Sequence, residues 1–303
     1  MQKNNELLSL EFMKNRQITL TYDQRQRFEY LSKGYAGELE FKNWFDKYCR
    51  TSWDLIEDYW FKKGFAKQAD FVLLSNFHWI VVDVKNYLGL YEYNNGESRL
   101  NGKSMDGDNF LSMKTRTNRI QKIANEINNN IQVTSAMIFI NEHSKTNINT
   151  IFPVEIIHRN ELKLYIETLN PVEPMSDGLL SVIHNKFDRY RTEYPFDYDT
   201  LLPNAFNQLQ HGIYCKKCLN YQLNIHRYHI HCPHCGTTES KQSAIFRHAT
   251  ELKLLFHKHP EMLKTKYLCD LMGNEISSRT IRKHMNTRFT QVNQSKQTYY
   301  KIN

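Results

Sequence analysis

Asp70, Asp83 and Lys85 are the residues whose types and spacing are best suited to chemistry. They sit in two apolar runs, Gln68-Ala69-Asp70-Phe71-Val72-Leu73-Leu74 and Trp79-Ile80-Val81-Val82-Asp83-Val84-Lys85. Strand side chains alternate faces, so Asp83 and Lys85 share one face, while Ile80, Val82 and Val84 point the other way, into a core. With Ser75-Asn76-Phe77-His78 as a hairpin loop, the loop's midpoint is also the midpoint between the two acids. Asp70 and Asp83 then stand opposite each other, within reach of one shared cation. Two carboxylates and an ammonium on one exposed patch suit a site that binds a divalent metal and handles a phosphate. The plainer alternative is a surface ion-pair cluster of little energetic value.

The elements that must position these groups read as a mixed α/β domain. Residues 1–29 form a polar helical segment with scattered leucines. Gly34-Tyr35-Ala36-Gly37-Glu38 opens a helix in which Leu39, Phe41, Trp44, Phe45 and Tyr48 recur at helical spacing. After the hairpin, Gly89–Tyr93 and Ser98–Leu100 read as short strands about an Asn94-Asn95-Gly96 turn. Asp106-Gly107-Asp108 caps a polar helix running to about Asn129. Val133–Ile140 is a continuous apolar run, as in a buried strand. Pro153–Ile157 is a weaker strand, and Glu161–Leu169 a helix. Residues 171–210, with Pro171, Pro174, Pro195 and Pro203, read as a helical linker.

Taken in order, Gly34-Tyr35-Ala36-Gly37-Glu38, Gln68-Ala69-Asp70 and Val82-Asp83-Val84-Lys85-Asn86-Tyr87-Leu88-Gly89 resemble the NERD (nuclease-related) domain of the PD-(D/E)XK nuclease-like superfamily. The resemblance covers residues 30–170 and implies a restriction-endonuclease-like fold, a mixed sheet flanked by helices. It implies that Asp70 and Asp83 bind metal, Mg²⁺ or Mn²⁺, and that Glu38 adds a third carboxylate from the adjoining helix. Glu38 also reads as a first-turn acid that complements the helix dipole. The resemblance gives Lys85 the role of orienting the attacking water or stabilising charge on the phosphate. Two features depart from the family pattern. Most members carry Glu at the position of Asp83. The helix motif Asn-Pro-x-x-Gln is met here by Asn109-Phe110-Leu111-Ser112-Met113, so no glutamine role transfers. The same helix offers Lys114, Arg116, Arg119 and Lys122, either as phosphate contacts or as a solvated face.

Cys215-Lys216-Lys217-Cys218 and Cys232-Pro233-His234-Cys235-Gly236 are two metal knuckles. Each supplies two thiolates to one tetrahedral Zn²⁺, and four thiolates close the shell, so the metal is structural. Residues 211–240 resemble a zinc ribbon, a module whose folding energy comes from its metal.

Residues 244–303 read as three helices and two short strands, 290–292 and 298–302, pairing about Asn293 to Gln297. The third helix buries Ile281, Met285 and Phe289 at intervals of four and turns Arg279, Arg282, Lys283 and Asn286 outward. This is the outline of a winged helix-turn-helix with a recognition helix sized for the major groove, or of a small protein-contact domain. Charge favours DNA. Residues 1–209 hold 25 Lys+Arg against 27 Asp+Glu, whereas residues 210–303 hold 15 against 5, with nine of the 13 histidines. A basic third implies a polyanionic partner.

No apolar run reaches the roughly 18 residues that span a bilayer. The first residues lack a signal-peptide pattern, so the expected compartment is the cytoplasm. Together these features predict a Mg²⁺-dependent deoxyribonuclease with a zinc-stapled DNA-binding end; a homodimer is compatible with the sequence. The alternatives are an RNA nuclease and an inactive nucleic-acid-binding or regulatory adaptor.

Overall fold

The computed structural model describes residues 1, 3–49, 53–94, 96–169, 173–193, 197–294 and 297–301. The expected turn residue Asn95, the linker prolines Pro171 and Pro195, the tip residues Ser295 and Lys296, and the last strand residue Ile302 lie outside them.

The chain opens with helices α1 (Asn5–Asn15) and α2 (Tyr22–Tyr48). Strands β1 (Asp54–Lys62), β2 (Ala66–Leu74), β3 (His78–Lys85), β4 (Gly89–Asn94), β5 (Glu97–Leu100) and β6 (Lys103–Ser104) follow, then α3 (Asn109–Asn125). Next come β7 (Gln132–Phe139), β8 (Ser144–Asn149), β9 (Glu155–His158), α4 (Arg159–Thr168) and α5 (Asp177–Tyr190). The rest comprises β10 (Asn224–Ile225), β11 (His229–His231), β12 (Thr238–Ser240), α6 (Lys241–Leu255), α7 (Thr265–Leu271), α8 (Ser278–Arg288), β13 (Thr290–Gln294) and β14 (Gln297–Lys301). Two compact units result: Met1–Gln2 with Tyr30–Phe196, and Lys3–Glu29 with Asp197–Asn303.

The first unit is a mixed α/β structure. Its main sheet runs β1-β2-β3-β7-β9, antiparallel from β1 to β3 and parallel from β3 to β9. A second sheet runs β6-β5-β4-β8. Alternation sorts the main sheet's side chains. Phe71, Leu73, Ile80, Val82, Val84, Ala136 and Ile138 pack with Phe41 and Phe45 of α2 and Leu162 and Ile166 of α4. Val72, Leu74, Trp79 and Val81 pack on the other face with Met113, Ile120 and Ile123 of α3 and Ile183 and Phe187 of α5. Helix α5 therefore belongs to this core and is not the linker expected for residues 171–210. Phe187 meets Trp79 and Tyr59 ring to ring, at 5.4 and 4.8 Å, and its carbonyl accepts from the Tyr59 hydroxyl at 2.8 Å. Three strands of this unit went unread in the sequence: β1, β6 and β8.

The second unit contains the three-stranded sheet β10-β11-β12, the helices α1, α6, α7 and α8, and the antiparallel pair β13-β14. The N-terminal segment, expected to stand apart, contributes buried Leu7, Leu10 and Met13 to this unit. Among the described residues no helix is long and apolar enough to cross a membrane.

Candidate functional site

The hairpin of β2 and β3 sets the acidic centre. Its register pairs Leu74 with Trp79 and Phe71 with Val82. The next step brings Asp70 beside Asp83, as the loop arithmetic required, although His78 belongs to β3 and only residues 75–77 form the loop. There the ladder stops, and the Asp70 carboxylate accepts the Val84 N–H at 2.8 Å. The acids are not on an exposed patch as expected: Asp70 is 9% and Asp83 2% exposed. Helix α3 covers them. Arg116 Nη2 lies 2.7 Å from Asp83 Oδ1, and its Nη1 donates to the Gln68 carbonyl at 3.2 Å. Arg116 is thus neither a phosphate contact nor part of a solvated face; it is a buried partner of Asp83. Arg119 donates to the Phe65 carbonyl, while Lys114 and Lys122 are exposed.

Lys85 Nζ approaches Asp83 Oδ2 at 2.7 Å, as an ion pair. Glu38 reaches the same centre from α2. Gly37 makes this possible, because a Cβ there would meet Asn86 Cβ at 2.9 Å and Ile140 Cγ2 at 3.1 Å. Past the site, Gly89 has φ +96°, and a Cβ would strike Asn101 Oδ1; Asn101 instead braces the turn by accepting from Leu90 N and donating to Leu88 O.

Sequence reasoning missed Asp58. The β1–β2 ladder pairs Glu57 with Phe71 and Tyr59 with Ala69, so Asp58 falls opposite Asp70. Its φ of 44° lies in the left-handed region, rare within a strand. The alternation of β1 breaks there, since Ile56 and Tyr59 enter the same core cluster. Asp58 Oδ1 accepts from Gln68 Nε2 at 2.8 Å. The available signal was the apolar spacing of Leu55, Tyr59 and Phe61 around an acid.

Electrostatics separates the acids. Burial, then the neighbouring Asp70, Asp58 and Asp83, pushes Glu38 up to about 9. Burial and Asp83 push Asp70 up to about 6. Burial alone would also raise Asp83, but Arg116 and Lys85 outweigh it and hold Asp83 at about 2. Lys85 stays charged, because Asp83 overcomes the cost of its burial.

A hard dication fits this centre by its chemistry. The donors are carboxylate oxygens, which suit Mg²⁺ or Mn²⁺. Their mutual repulsion, which raises Glu38 and Asp70, is what a dication would relieve. The carboxylates are not drawn into one tight cluster; among the described residues only the four cysteines are, with ligand atoms all within 4.8 Å of one another.

Those cysteines lie in the second unit. Cys215 and Cys235 Sγ are 3.5 Å apart, and Cys218 and Cys232 Sγ 3.6 Å. Tetrahedral zinc with bonds of about 2.3 Å needs sulfurs about 3.8 Å apart, so the set fits zinc. The two knuckles repeat one turn: Leu219 N donates to Cys215 O, and Gly236 N to Cys232 O. Helix α8 is capped by Ser277 Oγ, which accepts from Thr280 N. It buries Ile281 and Met285, with Phe289 next, and leaves Arg279, Arg282, Lys283 and Asn286 exposed. Asn286 accepts from Gln291 of β13 at 3.1 Å.

Residues 33–140 match the family model NERD, Nuclease-related domain, which supports a nuclease. That segment contains Glu38, Asp58, Asp70, Asp83, Lys85 and Arg116. No curated protein matches the chain. Among solved structures, the chain is similar to the small subunit (R.BspD6I2) of the heterodimeric restriction endonuclease R.BspD6I. Identity is 12%, coverage 60% of this chain and 91% of that chain, and the TM-score 0.25.

Proposed function

We propose that this protein is a metal-dependent nuclease that hydrolyses DNA phosphodiester bonds and binds DNA through its zinc-stabilised basic C-terminal region. One observation carries the reading: Asp70, Asp83, Lys85 and Glu38 converge on a buried acidic centre within the segment that matches the nuclease-related domain.

Asp70 and Asp83 would hold Mg²⁺ or Mn²⁺, with Glu38 and Asp58 beside them. Bound there, the ion neutralises phosphate charge and lowers the pKa of a water. Lys85 supplies a fixed positive charge for the scissile phosphate or its attacking water. Arg116 keeps the Asp83 carboxylate ionised and oriented. The four cysteines would bind Zn²⁺ and so fold the ribbon. Helices α6 to α8 with the pair β13-β14 follow the order of a winged helix, and Arg279, Arg282, Lys283 and Asn286 would meet the DNA.

A second reading, an inactive nucleic-acid-binding adaptor, is favoured by one fact: Asp83 already has two cationic partners. A gel assay separates the two. Plasmid, linear duplex, single-stranded DNA and RNA are incubated with Mg²⁺ or Mn²⁺, with and without EDTA. The nuclease reading expects metal-dependent DNA cleavage that disappears in Asp83→Ala and in Lys85→Ala. Cleavage retained in either variant overturns it. Binding without cleavage of any substrate establishes the adaptor.

A further inference from the structure

The β1–β2 hairpin continues beyond the acidic centre and ends in a loop of Lys63, Gly64 and Phe65. Phe65 is 84% exposed at the tip. An aromatic ring held in water forgoes the stabilisation that burial gives it. The loop is nonetheless ordered. Gly64 takes φ +99°, Arg119 donates to the Phe65 carbonyl, and Lys63 is anchored to Glu126 and to the Tyr190 hydroxyl.

The hairpin holds Lys62, Lys63 and Lys67 and no acid between residues 59 and 69. Lys62 and Lys67 have no ion-pair partner among the described residues. Directly opposed residues of an antiparallel pair share a face. Lys62 opposes Ala66 and Lys67 opposes Phe61, so the two lysines point to opposite sides of the ribbon. An exposed ring with a cation on either side complements a groove walled by two phosphate backbones. Beyond the bridge of Phe61 to Arg191 the tip is two-stranded, of the width that the major groove admits.

The geometry points to the β1–β2 hairpin as a duplex-binding finger, with Phe65 directed at the bases and Lys62 and Lys67 at the flanking phosphates. This rests on the nucleic-acid reading above. The finger shares its strands with the acidic centre. Phe65 is five residues from Asp70, and a strand rises about 3.3 Å per residue, so the tip lies about 16 Å along the strand from the acids. That corresponds to about five base pairs at 3.4 Å each. Its partner is therefore the same duplex the centre would cut.

Fluorescence anisotropy of the full chain with a labelled 30-base-pair duplex, in magnesium-free buffer over a salt series, tests the assignment. Phe65→Ala should weaken binding about tenfold without changing the salt slope, the size of one lost base-edge contact in the groove, and Phe65→Tyr should restore it. Lys62→Ala/Lys67→Ala should lower the slope of log K against log salt by about 2. Lys62 and Phe65 are exposed and Lys67 is half-buried, and unchanged melting temperatures would show that the variants fold. If the wild type binds the duplex and both variants bind identically, the finger is overturned while the nuclease reading stands. If Phe65→Ala instead dissolves a self-associated form seen by sedimentation, with DNA binding unchanged, the tip is a protein contact and the proposal fails. A wild type that binds no duplex defeats the nuclease reading itself.

Discussion

At the scale of single residues, Arg116 is the most consequential side chain whose place the sequence did not reveal. On a helix of lysines and arginines it reads as one more surface cation, yet it is 8% exposed and bonded to the most buried acid of the centre. Position 116 lies three residues, almost one turn, after Met113, where the family motif would place glutamine. Leaving a buried charge wholly uncompensated costs about 3–5 kcal/mol, but without Arg116 the Asp83 carboxylate keeps Lys85 at 2.7 Å. Arg116→Ala should therefore lower the stability of the first unit by about 1.5–3 kcal/mol, the worth of a hydrogen bond to a charged group, read from urea unfolding followed by tryptophan fluorescence. A dication can replace part of the lost positive charge. Millimolar Mg²⁺ should then stabilise Arg116→Ala more than the wild type, because ligand binding to the folded state raises its stability. Equal Mg²⁺ shifts in the two proteins would show that Arg116 and the metal do not compete for Asp83.

At the scale of elements, the hairpin was legible because strand alternation and a turn midpoint are local properties. The same two rules placed Asp70 against Asp83 and sent Ile80, Val82 and Val84 to the opposite core. Burial of the acids was not legible, because it depends on α3 and on Arg116, more than thirty residues away along the chain. Strand β1 was missed for a related reason: a left-handed Asp58 breaks its period, so the pattern reads as neither strand nor helix. Helix α2 was read as starting at Gly34, but it begins at Tyr22 and passes through both glycines. The two differ in a testable way. A Cβ at Gly34 meets nothing within 4 Å, so Gly34→Ala should stabilise by up to about 1 kcal/mol through helix propensity. At Gly37 the new atom meets Asn86 and Ile140, so Gly37→Ala should destabilise by about 1–3 kcal/mol, as overpacking does. It should also depress cleavage, since Glu38 is the next residue. Chemical denaturation of both variants checks the opposite signs; a stabilising Gly37→Ala would mean that the helix backs away freely.

At the scale of the whole molecule, the two units bury charge by opposite logic, and acid should separate them. The second unit is built from both chain ends and fastened by Arg16, which is fully buried. Arg16 donates from Nε and Nη2 to the two oxygens of Glu251, each at 2.8 Å, and from Nη1 to the carbonyls of Gln210, Gly212 and Leu271. His248 Nδ1 lies 2.7 Å from Glu251 Oε2. Burial would raise Glu251, but Arg16 and His248 hold it at about 2, while burial lowers His248 to about 4. A depressed carboxylate stabilises above its ordinary 4.5 and loses that contribution as the pH falls towards 2. A buried neutral histidine stabilises above its ordinary 6.5 and loses its contribution between 6.5 and 4. The second unit should therefore weaken steadily below pH 6.5. In the first unit Glu38 and Asp70 have raised values, about 9 and 6, so their charged forms oppose folding and protonation relieves them. That unit should strengthen as the pH falls from 9 to about 5, although below 6.5 His78, lowered by burial, offsets part of the gain, and below its ordinary 3.8 Asp83 begins to lose its contribution. All four tryptophans, Trp44, Trp53, Trp60 and Trp79, lie in the first unit, so fluorescence follows it alone. Urea unfolding at pH 8 and pH 5 in magnesium-free buffer should move the fluorescence midpoint up. The fluorescence-silent step seen by circular dichroism should move down, and Arg16→Ala should shift only that step. Midpoints that move in the same direction would mean that the acids of the first unit are not held against their own charge, and with that the reason for a dication at Asp70 and Asp83 would be gone.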